Sequence, residues 1–181
     1  AVWLAEQALR LDGDFVECGV FTGFTNHVIM LHNDWNQRDK SFFMFDTFKG
    51  LDERLLNEEE KRIGRIKMNE QFYFESVYDQ ARERFEEFDR VHLIRGAVPD
   101  TLNDVEVDRV AYLSLDMNCA GPEIAALRHF WPKLVSGGVV LLDDYAFRGF
   151  EPQLKAHNEL AGELGYSILS LPTGQGLILK P

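Results

Sequence analysis

Five carboxylates stand in this chain where an apolar run gives out: Glu17 in "FVECGV", Asp46 in "FFMFD", Asp116 in "AYLSLD", and Asp143 and Asp144 in "VVLLDDY". Surface acids scattered by chance would not terminate four separate runs. Two chemistries suit such a set. One carboxylate beside a glycine turn can accept hydrogen bonds from the hydroxyls of a bound ribose. Three carboxylates brought together offer hard oxygen donors to a divalent cation such as Mg2+. Asp116, Asp143 and Asp144 form the candidate trio. Successive strand side chains face opposite sides, so Asp143 and Asp144 converge on one ligand only where their strand is ending. The plain alternative is that one of them caps the next helix and the others bond local backbone.

The glycines narrow the ligand. In "ECGVFTG", Gly19 and Gly23 follow Glu17 between an apolar run and a helix-like stretch. The loop has neither the G-x-G-x-x-G of a dinucleotide site nor the G-K-[ST] of a phosphate loop. Gly19 is expected to let the backbone approach a ligand, and Gly23 to let the next helix pack close. With only two glycines before it, Asp46 favours S-adenosylmethionine, whose ribose carries no pyrophosphate and whose two hydroxyls it would bind. The missing third glycine disfavours a nicotinamide dehydrogenase. A strand–turn–helix corner with a solvated acid is the bland reading of the same residues.

Strand-like runs alternate with helix-like ones and would position these groups. Strands are expected at 14–20, 41–46, 90–96, 109–116 and 137–145, with a terminal hairpin in "YSILSLPTGQGLILK". Helical patterns follow: a lead-in over 1–12, a stretch to about Leu31, then Val77, Tyr78, Ala81, Phe85 and Phe88 at helical spacing. Two more cover 121–131, with Pro122 in its first turn, and 151–164. The fold class is α/β: a Rossmann-like class I methyltransferase fold, with a mostly parallel seven-stranded sheet, helices on both faces and a C-terminal β-hairpin. Such sheets collect ligands at the carboxyl ends of their strands, where all five acids fall.

A single domain over residues 1–181 is expected, with 50–72 as a candidate lid. The densely charged stretch 51–68 shows no clear buried face, so it reads either as a solvated helix or as that lid. Phe72, Tyr73 or Phe74 could line the pocket or belong to the core, and Tyr145, just past the paired acids, is a candidate substrate contact. The five histidines show no metal-ligand spacing and read as structural or surface residues. Both cysteines, Cys18 and Cys119, read as small buried residues without a disulfide framework, so a cytoplasmic location is the default.

The net charge of −11 argues against nucleic acid and against an anionic membrane surface. No apolar run approaches the length of a membrane span. A small-molecule acceptor is the expected partner, with self-association left open. The chain begins without Met, apparently inside a helix and with no signal-peptide pattern, so it is expected to be an N-terminally incomplete piece of a longer protein.

Together "GDFVECGVFTG", "FMFDTFKGL", "LSLDMN" and "VVLLDDY" resemble the macrocin-type O-methyltransferases of antibiotic-sugar pathways. That family's pattern runs F-V-E-C-G-V, D-[ST]-F-x-G-L, L-D-x-D, I-D-D-Y, and the match covers most of the chain in order. The resemblance implies transfer of a methyl group from S-adenosylmethionine to a hydroxyl of a small metabolite, assisted by Mg2+. Residue by residue, Glu17, Gly19 and Gly23 match the cofactor loop and Asp46 the ribose acid. Gly96 matches the turn near the adenine. Asp116, Asp143 and Asp144 match the metal and base cluster, with Asp116 and Asp143 in catalytic roles and Asp116 the expected base. One position departs: Asn118 stands where the family has the second acid of L-D-x-D, and can offer substrate a carbonyl oxygen but cannot take a proton. A metal-independent methyltransferase and a degenerate S-adenosylmethionine-binding domain are the competing readings.

Overall fold

The apolar runs become the strands of one sheet in the computed structural model, which describes residues 1–70 and 76–181. The strands are β1 (Asp14–Cys18), β2 (Phe42–Asp46), β3 (Val91–Arg95), β4 (Val110–Leu115) and β5 (Leu134–Leu142). The expected hairpin follows as β6 (Leu169–Ser170) and β7 (Gly176–Leu179). Strand order is β3-β2-β1-β4-β5-β7-β6. The first five run parallel, and β7 lies antiparallel to β5.

Every residue of β2 and of β4 is buried, so both faces of the sheet need covers. Alternation along β1 sends Phe15 to one side and Val16 and Cys18 to the other. On Phe15's side lie α1 (Val2–Ala8), α2 (Phe24–His32) and α5 (Val77–Phe85), around an aromatic nest. Phe15 stacks on Tyr112 at 5.0 Å between ring centres and tilts against Trp35 at 5.3 Å. On the other side α6 (Ala120–Phe130) and α7 (Glu151–Leu164) bury Ala126, Leu127, Phe130 and Leu160 against Val16, Phe45 and Leu113. No helix of the described residues is long and apolar enough to cross a membrane.

The charged stretch after β2 departs from the solvated helix considered for it. It breaks into a single 3-10 turn (Glu53–Leu55), α3 (Glu58–Arg62) and α4 (Arg65–Glu70). Two of its charges are fully buried, Glu60 and Arg65. Asn57 and Glu60 form a reciprocal capping box that starts α3. Glu60 Oε1 also accepts from the Ala120 N–H at 2.7 Å, and Arg65 Nη2 donates to the Gly149 carbonyl at 2.6 Å. The segment is thereby pinned at two points on the carboxyl edge of the sheet. Phe72, Tyr73 and Phe74, with the end of the expected lid, lie outside the described residues.

Candidate active site

The strand order changes direction between β1 and β4, and the crevice above that point is where an open α/β sheet takes its ligand. The chain leaves β1 through a tight loop that Asp46, the last residue of β2, holds from beside. Asp46 Oδ2 accepts from the N–H groups of Val20 (2.7 Å) and Phe21 (2.8 Å), and Oδ1 from that of Phe48 (2.6 Å). Phe21 and Phe48 sit at φ 52° and 53°, a region costly for bulky side chains. The carboxylate holds both in place. Thr47 Oγ1 lies 3.4 Å from Oδ1, but its single proton goes to the Gly50 carbonyl at 2.6 Å. A carboxylate has about four acceptor positions, so Asp46 keeps one open, on Oδ1.

Both glycines are also required by the protein around them. At Gly19 (φ 95°) a Cβ would lie 1.8 Å from the Asp116 carbonyl oxygen, so only glycine lets the loop pass β4. Gly23 (φ 73°) caps α2 in the left-handed region, and a Cβ there would strike the Phe85 ring at 2.4 Å. The close packing expected of Gly23 is thus against α5, and Gly23 does not line the cavity.

That cavity, with about 460 Å³ of space open to solvent, runs along the ends of β1, β2, β3 and β4. Gly19, Asp46, Gly96, Asp116 and Asn118 line it, and Leu51, Asp52 and Leu55 of the charged segment close one side. Its size is that of a small-ligand site. Glu17 is buried beneath the loop, with Oε2 unpartnered. Burial pushes its carboxyl up to about 8, against a hydrogen bond from Asn26 and with Asp143 and Asp46 adding to the rise.

Asp116 leaves β4 and Asp143 and Asp144 leave β5, and one oxygen from each lies within 4.8 Å of the others. Burial first, and then the charges of Asp143 and Asp144, raise Asp116 well above the carboxylate range. Asp144 rises to about 7 through burial, Glu123 and Asp143, opposed by the Arg65 guanidinium. Three half-buried acids in one place are short of positive charge. Three hard oxygens at that spacing fit a divalent cation such as Mg2+. Asn118 sits at φ 59°, which asparagine tolerates, and its Nδ2 faces Asp116 Oδ1 at 3.4 Å.

Tyr145 is not where a substrate contact would be. The chain turns it into the core, its hydroxyl donates to Asn158 Oδ1 at 2.7 Å, and Gly176 packs on its ring. Residues that the sequence reading passed over support the acids. Gln175, in the hairpin turn, donates to Asp143 Oδ1 at 2.6 Å. Buried Glu123 accepts from the Met117 N–H at 3.2 Å and meets His157 Nε2 at 3.0 Å, steadying the loop that carries Asp116. Nothing local marks Gln175, whereas the N-x-x-E spacing of Asn57 and Glu60 was a visible capping signal.

This strand order, with its reversed seventh strand and its cavity over the β1–β4 switch, defines a class I S-adenosylmethionine-dependent methyltransferase fold. A family model for macrocin O-methyltransferases matches residues 5–162, and the chain belongs to that family. It is 31% identical over 144 residues to the 8-demethyl-8-(2,3-dimethoxy-alpha-L-rhamnosyl)-tetracenomycin-C 4'-O-methyltransferase of Streptomyces olivaceus, across 74% of this chain and 53% of that protein. It is 26% identical over 155 residues to the mycinamicin III 3''-O-methyltransferase of Micromonospora griseorubida, across 77% and 59%. The chain therefore spans little more than half the length of these curated relatives. Among solved structures, the O-methyltransferase NovP superposes with a TM-score of 0.83 at 21% identity, over 98% of this chain and 76% of that one. A methyltransferase of Podospora anserina, solved with S-adenosylhomocysteine, superposes at 0.69 with 16% identity, over 99% and 76%.

Proposed function

We propose that this chain transfers a methyl group from S-adenosylmethionine to a hydroxyl of a small metabolite of the sugar or natural-product class, with Mg2+ held by Asp116, Asp143 and Asp144. One observation carries the reading: Asp116 belongs both to the cavity wall and to the acid trio, so a methyl donor and an activated hydroxyl would meet there. S-adenosylmethionine supplies an electrophilic methyl group, and Mg2+ supplies Lewis acidity toward the acceptor hydroxyl.

The chain's own residues do the rest. Asp46 offers its open Oδ1 position to one ribose hydroxyl, not the two expected from sequence. Gly96 lines the cavity beyond β3, where the adenine would lie. Glu17, buried beneath the loop with its Oε2 unpartnered, holds its proton near neutral pH, and a cationic part of the donor brought close would draw it toward ionisation. Asp116 takes the acceptor's proton at its carboxylate. A group whose pKa is raised by burial and by crowded like charges holds a proton well but needs counter-charge to start ionised, and for that reason the reading couples transfer to a cation. Alignment of both reactants can contribute about 7–11 kcal/mol.

A cation-free reading finds support in Asn118, which replaces an acid of the family pattern with a neutral amide beside Asp116. Thermal melts with S-adenosylhomocysteine, in Mg2+ or in EDTA, test the first half of the proposal. Ligand at about 100 times its dissociation constant adds about 2.7 kcal/mol, or about 5–11 °C for a domain this size. No shift at millimolar ligand would sink it. Transfer of labelled methyl to a panel of sugar and phenol acceptors that persists in full under EDTA would leave the fold and cofactor but remove the metal.

A further inference from the structure

Among the described residues Arg65 is the only buried lysine or arginine. Its guanidinium stacks over the Phe150 ring at 3.8 Å, and Nη2 donates to the Gly149 carbonyl. Nε and Nη1 are buried without a partner. An arginine does not shed its charge on burial as a lysine can, and a buried charge without close compensation is costly. The acid trio has the opposite deficit: three carboxylates together, with no ion pair to a cationic side chain among the described residues. Gly149 and Phe150 lie in the turn that leaves β5 and carries Asp143 and Asp144. From the same segment Glu60 binds Ala120, at the end of the loop that carries Asp116. The charged segment thus joins the two acid-bearing loops and brings one fixed positive charge to them.

We propose that Arg65 is the built-in counter-cation of the acid trio, a positioning residue that sets how tightly Asp116, Asp143 and Asp144 take a divalent cation. The proposal rests on the reading of the trio as a cation site. If Arg65 and the metal balance the same charge, each weakens the other's hold, and by linkage the effect is reciprocal. A residue that served packing alone would have no reason to weaken cation binding.

The test measures Mn2+ binding to the full chain by calorimetry and electron paramagnetic resonance, for wild type, Arg65→Met and Arg65→Lys. Folded Arg65→Met is expected to bind Mn2+ about tenfold more tightly than wild type, as loss of one repelling charge near the site requires. Arg65→Lys keeps the charge and stays within about threefold of wild type. Binding gained by Arg65→Met where wild type shows none supports the proposal equally. Equal or weaker binding by Arg65→Met, or tightening by both variants, overturns it, as does an absence of binding throughout. Should Arg65→Met fail to fold, amide exchange of wild type decides. Saturating Mn2+ then speeds exchange over residues 58–67 as the latch loosens, and unchanged exchange overturns the proposal. The methyltransferase reading fails separately, by the absence of a shift with S-adenosylhomocysteine.

Discussion

Asp46→Asn separates the two things Asp46 does. The carboxylate accepts from three backbone N–H groups, those of Val20, Phe21 and Phe48. An asparagine at the same place has one acceptor oxygen, so its amide NH2 must face at least one of those donors. Hydrogen bonds to charged groups contribute about 1.5–3 kcal/mol each, and a buried donor left unpaired costs about 1–3 kcal/mol. The left-handed backbone of Phe21 and Phe48, held by those same bonds, stores roughly 1–3 kcal/mol apiece that would pull the loop out of shape. These contributions overlap, since relaxation relieves strain as bonds are lost. A net loss of about 3 kcal/mol is expected, or about 6–12 °C in melting temperature without any ligand. The assay is a calorimetric melt of the ligand-free protein, followed by the same melt with S-adenosylhomocysteine. A ligand-free melting temperature within about 2 °C of wild type, with the ligand shift gone, would mean that Asp46 serves the ligand alone and holds no loop.

Two further outcomes follow from the buried acids. Glu17, raised to about 8, binds a proton in the folded protein that it has lost in the unfolded chain at neutral pH. Its contribution is therefore fully present at low pH and disappears as pH rises from the ordinary carboxyl range through about 8. Glu17→Gln should melt above wild type at pH 8.5, with the gap closing toward pH 5; a gap independent of pH would show that Glu17 does not titrate there. Asp144, raised to about 7 by burial, Glu123 and Asp143, is a like charge held in a crowd. Asp144→Asn should melt higher than wild type in EDTA at pH 8 and transfer no methyl group, and a lower melting temperature with activity retained would contradict both the crowding and the role.

The carboxyl edge of the sheet was legible from sequence because it is written in local signals. Apolar runs mark the strands, and an acid near the end of four of the five parallel ones reports an exit from the sheet whatever the tertiary structure. What those residues do to one another was not legible. The spacing of Gly19 suggests clearance for a ligand, but the atom its missing Cβ avoids belongs to Asp116, just past a strand that no local pattern pairs with β1. Asp46 has the place of a ribose acid, while three of its acceptor positions go to backbone N–H groups, two in the loop after β1 and one after β2. Tyr145 is a candidate substrate contact by its place just past the paired acids; the turn instead rotates it onto Gly176 and Asn158. Charge density misled most over the segment after β2. Glu60 and Arg65 find partners 60 and 84 residues away, and a carboxylate or guanidinium looks the same in sequence whether water or a distant backbone group receives it.

Asn118 and Arg65 bear on the same quantity. The family pattern places a second acid two residues after Asp116, and here that position is a neutral amide whose Nδ2 faces Asp116. Substitution of Asp by Asn removes one negative charge from the neighbourhood of the trio. Arg65 adds one positive charge without making contact with a carboxylate. Both changes lower the negative potential that a divalent cation would meet, and neither removes a member of the trio. Cation affinity should therefore be weaker than three clustered carboxylates alone would give, with the geometry for binding intact. Restoring the acid with Asn118→Asp and removing the arginine with Arg65→Met act on one electrostatic field through separate residues. Between charges that are not in contact, their effects on Mn2+ affinity should add in free energy. A strongly non-additive double variant would instead mean that the two residues are mechanically linked through the segment that spans the acid-bearing loops.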